Sequence, residues 1–120
     1  MASYAVGPNA HLLFVYGSLK RGRANHPQLQ AAEYVAVART AARFGLRMID
    51  DYPALVPGAR AIVGELYRIA ASALSGLDEF EGTGYVRQEI ELEGGQRALA
   101  YLSCVPDAGI PYLGDEWPSR

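Results

Sequence analysis

Six residues, His11-Leu12-Leu13-Phe14-Val15-Tyr16, are almost continuously apolar and stop at Gly17. A run that short and that apolar reads as a central strand buried on both faces, since a half-exposed strand would alternate. The glycine lets the backbone turn sharply, and the bend that follows, as far as Gly22, leaves several N–H groups in a row without ladder partners. Such groups need an acceptor, and an anion or a developing oxyanion is a natural guest.

The rest of the chain is read around that strand. Asn25-His26-Pro27 suits a helix start, with Pro27 at the first helical position and an end near Ala32. Tyr34 to Val37 and Phe44 to Met48 predict two strands with a bend near Arg39 to Ala42. Asp50 to Gly58 holds two prolines and a glycine and reads as a loop. Ala61 to Ile69 is a strand in which Gly64 marks a bulge or a close backbone approach. Ala70 to Glu81 is the best helix, with Ala70, Leu74, Leu77 and Glu81 on one face and Gly82 as its stop. Asp78 lies at the edge of that face and Glu79 points away.

Tyr85 to Glu93 alternates, with Val86, Gln88, Ile90 and Leu92 on one face and Tyr85, Arg87 and Glu89 on the other. Gly94-Gly95 predicts a two-residue hairpin turn, and Gln96 to Val105 the return strand, carrying Cys104 as a small core residue. The prolines and glycine beyond it forbid a further regular element; Tyr112 and Trp117 pin the tail. Strands dominate, so the expected fold is α+β: a small mixed β-barrel, closed or partly closed, with one or two short helices packed beside it.

Composition narrows the function. A chain of 120 residues, half of them hydrophobic, suits one domain over residues 11–120 behind a flexible N-terminus, residues 1–10. A net charge of −2 gives no electrostatic case for nucleic acid. One cysteine excludes an internal disulfide, and with two histidines it is too little for an all-nitrogen-and-sulfur zinc site. No signal peptide or membrane span is visible, so a cytoplasmic protein with no metal or membrane partner is expected. Oligomeric state is not legible.

Each candidate site has a dull reading and a functional one. Glu81 at a helix end is a solvated carboxylate, or one paired with Arg87; buried with the leucines, it is instead an acid/base with a raised pKa. Gly17 and Gly22 have the glycine spacing of a phosphate-binding loop, but Arg23-Ala24 stand where Lys and Ser/Thr are required. Lys20 and Arg21 are by default solvated charges. His26 is a cap or a base. Tyr85 and Arg87 form either a solvated sheet face or a cavity wall beside Glu81.

Tyr16-Gly17-Ser18-Leu19, Gly64-Glu65-Leu66-Tyr67, Leu77-Asp78-Glu79-Phe80-Glu81-Gly82 and Tyr85-Val86-Arg87 stand in the order and approximate spacing of the gamma-glutamylcyclotransferase-like superfamily. Val15 to Gly22 with Asn25-His26 most resembles its gamma-glutamylamine cyclotransferase branch. The resemblance covers roughly residues 12–105 and implies a mixed-sheet barrel with a cavity. It implies Glu81 as acid/base and the backbone N–H groups of Tyr16, Gly17, Ser18 and Leu19 as the holder of a γ-glutamyl substrate. It implies a cofactor-independent cyclisation to 5-oxoproline; on that reading Tyr85 and Arg87, on the strand face just after Glu81, serve as wall or support. The second reading is a non-catalytic barrel that keeps the pocket for a small ligand.

Overall fold

The computed structural model describes residues 10–17, 19–21, 26–29, 32–49 and 52–116. The N-terminal segment before Ala10, Ser18, Asn25 and Trp117 lie outside the described residues. The strands are β1 (Ala10–Val15), β2 (Glu33–Arg39), β3 (Phe44–Ile49), β4 (Tyr52–Pro57), β5 (Val63–Ala70), β6 (Tyr85–Glu91), β7 (Arg97–Ser103) and β8 (Ile110–Tyr112). Among the described residues one α-helix, α1 (Leu74–Glu81), follows a 3-10 turn at Ala71–Ala73, and a second 3-10 turn spans His26–Leu29.

All eight strands belong to one mixed sheet that curls into a half-barrel, in the order β2-β5-β1-β7-β4-β3-β8, with β6 also on β7. The alternation of β1 shows why it lies at the centre. Leu12, Phe14 and Tyr16 enter the core inside the curl, with Leu46, Leu66 and Leu102. Leu13 and Val15 enter a second core on the other face, with Tyr67, Ile69 and the helix residues Leu74 and Leu77. Burying such side chains contributes about 1.5–3 kcal/mol each, so a strand apolar on both faces is held from both sides. The bridge from Thr40 to Leu92 joins the end of β2 to the end of β6. Bonds from Ala41 N–H to the Glu91 carbonyl and from Glu93 N–H to the Arg39 carbonyl close that seam.

β7 is forked. β6 runs antiparallel along its whole length, so β1 and β4 must share the other edge; they do so in parallel, one pairing at Leu99 and the other at Leu102. Between them the Tyr16 phenol replaces ladder bonds: its Oη donates to the Tyr101 carbonyl at 2.6 Å and accepts the Leu55 N–H at 3.0 Å.

Several expectations are corrected. Residues 52–57, read as loop, are strand β4. The Leu55 N–H points away from β3, toward Tyr16, and by two-residue alternation the nitrogens of Pro53 and Pro57 face the same way. The prolines therefore cost no hydrogen bond to β3. The proline-rich tail forms β8, a short edge strand on β3 that includes Pro111. Val86 is exposed while Tyr85 and Arg87 are half-buried, because the start of β6 leans toward α1 and only its end, at Ile90, meets the inner core. The hairpin turn holds three residues, closed by Gly95 N–H on the Leu92 carbonyl. Cys104 lies past the end of β7 and is exposed. Gly64 fulfils its reading as a close approach: a Cβ there would strike the Val15 carbonyl oxygen and the Phe14 ring.

Candidate active site

A cavity of about 320 Å³ opens where β1 and β4 part at the fork. The turn after β1 forms one wall and the last turn of α1 another. Tyr16, Gly17, Leu19, Glu81 and Tyr85 all line it, so five predicted site residues come together. Ser18 falls outside the described residues. Arg87 does not line the cavity; its Nη1 pairs with Asp78 at 3.1 Å, not with Glu81.

Glu81 is the last residue of α1, on the face that Leu77 and Leu74, one and two turns earlier, bury. Gly82 ends the helix at φ 80°, a left-handed value that an L side chain rarely adopts. The carboxyl is half-buried, and among the described residues no cation pairs with it. Its pKa is pushed up to about 7, wholly by burial, which disfavours the ionised form.

The turn is tight and specified. Lys20 N–H donates to the Gly17 carbonyl at 3.0 Å. Gly17 serves close packing more than unusual φ: a Cβ there would lie 2.7 Å from Cγ of Pro53 on β4. Among the described residues no protein acceptor takes the N–H groups of Gly17 and Leu19. Tyr16 lines the cavity, and its phenol ties the fork. Burial pushes that phenol far above its ordinary pKa, keeping it a donor.

Of the two charges of the bend, Arg21 keeps 55% of its side chain exposed, as expected, and Lys20 does not. Lys20 is only 4% exposed. The Arg21 guanidinium lies 3.8 Å from the Tyr34 ring centroid and its Nε 3.6 Å from Glu65. His26 caps the bend, its Nδ1 donating to the Leu19 carbonyl at 3.0 Å, and is not among the residues lining the cavity.

The pattern of the family described as "Gamma-glutamyl cyclotransferase, AIG2-like" matches residues 13–118. This chain belongs to that family. The Escherichia coli K12 protein YtfP, named as a gamma-glutamylcyclotransferase family protein, is 31% identical over 90% of this chain and 96% of its own length. Gamma-glutamylaminecyclotransferase A of Danio rerio is 36% identical over 68% of the chain, a match that spans 58% of the relative. The crystal structure of a mouse AIG2-like protein superposes with a TM-score of 0.79 at 24% identity, covering 92% of this chain and 89% of that one; the likeness is one of fold.

In this family member the cavity also recruits residues that sequence reasoning passed over. Pro53 and Tyr52 were hidden because two prolines disguised β4 as loop. Tyr101 lines the cavity from β7, and its Oη donates to Asp78 at 2.6 Å. The alternation Leu99, Tyr101, Ser103 was the available signal, but it does not say which face meets the cavity. Among the described residues no helix is long and apolar enough to cross a membrane.

Proposed function

We infer that the chain is a γ-glutamyl cyclotransferase, with Glu81 as general base and then general acid. The observation that carries this is a desolvated carboxyl, with a pKa near 7, on the same small cavity as a turn whose Gly17 and Leu19 N–H groups have no acceptor among the described residues. The family and the names of the relatives supply the substrate class: a γ-glutamyl amide.

Such a substrate carries its own nucleophile. The α-amine attacks the γ-carbonyl, an N–C bond forms and closes a five-membered ring, the amide C–N bond breaks, and 5-oxoproline and a free amine leave. Intramolecular attack, well oriented, supplies an effective molarity of order 10⁵–10⁸ M, so no enzyme nucleophile is required. Glu81 takes the proton from the attacking nitrogen and returns one to the leaving nitrogen, work worth about 10²–10⁴-fold; a pKa near 7 suits both directions at neutral pH. The turn N–H groups hold an anionic oxygen of the substrate, and each donor to an oxyanion contributes about 10²–10³-fold.

The test is Glu81→Gln with 5-oxoproline release from a γ-glutamyl amide as the readout. Loss of 10²-fold or more, with binding of the substrate retained, supports the assignment; unchanged turnover rejects it. In the wild type kcat should fall about tenfold per pH unit below about 7, since only the ionised carboxylate accepts the proton. A wild-type chain that binds γ-glutamyl compounds and releases nothing is a binding barrel, not an enzyme.

A further inference from the structure

Resting on that reading, we propose that Glu65 and His26 form a two-jawed clamp that sets the substrate-holding turn, with Glu65 as the principal positioning residue. Glu65 sits on β5 in register with Val15, the last residue of β1, so its position is fixed beside the start of the turn. Its side chain is 13% exposed. The carboxylate accepts the backbone N–H of Arg21 at 2.9 Å, at the far end of the turn, and the Tyr67 Oη at 3.0 Å. A largely buried carboxylate must have its desolvation offset, and here the Tyr67 hydroxyl, the Arg21 guanidinium and the Arg21 backbone N–H do so together, which ties the turn to β5.

The second jaw works on the opposite polarity. His26 gives its Nδ1–H to the Leu19 carbonyl, and its ring lies 5.9 Å from the Tyr67 ring, the same tyrosine that holds Glu65. One acceptor and one donor thus engage the turn from outside the cavity. A peptide plane whose carbonyl is held has its orientation fixed, since the six atoms turn together. Holding the Leu19 carbonyl fixes the Leu19–Lys20 peptide plane, whose N–H is the one closed on Gly17, and holding the Arg21 N–H fixes the Lys20–Arg21 plane that follows. The clamp therefore acts through the backbone: it anchors the exit of the turn, at the residue that carries the Leu19 N–H, so that binding has less of the turn to order. Arg21 adds its side chain to the same cluster, stacked on Tyr34 and beside Glu65.

The experiment compares Glu65→Ala, Glu65→Gln and His26→Ala, with L-γ-glutamyl butylamide as substrate and 5-oxoproline as a binding probe by calorimetry, well below each melting temperature. Glu65→Ala should raise KM and weaken 5-oxoproline binding tenfold or more, while the midpoint of the acid limb stays near 7, since Glu81 is untouched. Glu65→Gln keeps an oxygen for the Arg21 N–H and should recover to within about threefold of wild type. His26→Ala should move KM in the same direction, and the double variant should fall short of the product of the two singles, as members of one device do. A Glu65→Ala protein that melts earlier but keeps its KM overturns the clamp and leaves the cyclotransferase reading intact. Failure of Glu65→Gln to recover also overturns it. If the wild type neither turns over the amide nor binds 5-oxoproline, the cyclotransferase reading falls and takes the clamp with it.

Discussion

At the residue scale, the carboxyl of Glu81 ties stability to pH through one ionisation, and the proposed mechanism ties activity to the same one. Its folded pKa, about 7, lies above the 4.5 of an unperturbed Glu. Below about 4.5 the group is neutral whether folded or unfolded and costs nothing. Between 4.5 and 7 the unfolded chain ionises first, so stability falls as pH rises, and above 7 the full penalty is present. At 1.36 kcal/mol per pH unit, discounted because the carboxyl is partly open to solvent, the penalty is on the order of 1–3 kcal/mol. Glu81→Gln should therefore raise the melting temperature by several degrees at pH 8, and the gain should vanish near pH 4. Thermal melts across that range check the sign; a variant that melts lower at pH 8 would mean the carboxylate is stabilised, and the base assignment would lose its footing.

At the scale of the element, two glycines in neighbouring elements make opposite forecasts. Gly64 in β5 has no room, because the Val15 carbonyl belongs to the paired strand and cannot step aside. Gly64→Ala should destabilise at the upper end of the ~1–3 kcal/mol range for overpacking, read as a lowered denaturant midpoint. Gly76 in α1 has nothing within 4 Å of an added Cβ. Gly76→Ala should stabilise by about 0.5–1 kcal/mol, since alanine restricts the unfolded chain and favours helix. Helix α1 matters beyond its eight residues because it carries Glu81 at its last position, and a firmer helix should leave the acid limb of activity where it is.

Across the whole molecule, the half-barrel is held at a seam and at a fork. The seam passes through Thr40, fully buried, whose Oγ1 accepts the Ile62 N–H at 2.9 Å and donates to the Ala41 carbonyl at 2.8 Å. Thr40→Val keeps the shape but strips both bonds, and should cost about 1–3 kcal/mol. Hydrogen exchange should quicken first at Ile62, Ala41 and Glu93, the amides of the seam; uniform quickening over the sheet would show that the seam does not open on its own. At the fork, β1 and β4 share one edge of β7, and their parting creates the cavity. Cavity and architecture are therefore one feature, with the Tyr16 phenol bridging the gap between β4 and β7.

The apolar run before Gly17, the leucine-faced helix ending at Glu81 and the order of the short motifs were all legible one-dimensionally, because burial periodicity and glycine stops are local properties of a chain. Gly64 announced a close approach for the same reason. Local composition misled where a proline's missing N–H was harmless, as in β4 and β8, since only the direction of the neighbouring strands decides whether that N–H was needed. Tertiary structure alone decided that Arg87 would take Asp78 and leave Glu81 without a cation among the described residues. It alone brought Glu65 to the back of the turn, 44 residues along the chain from Arg21. Charge pairing and desolvation depend on distances through space, and no spacing along a sequence contains them.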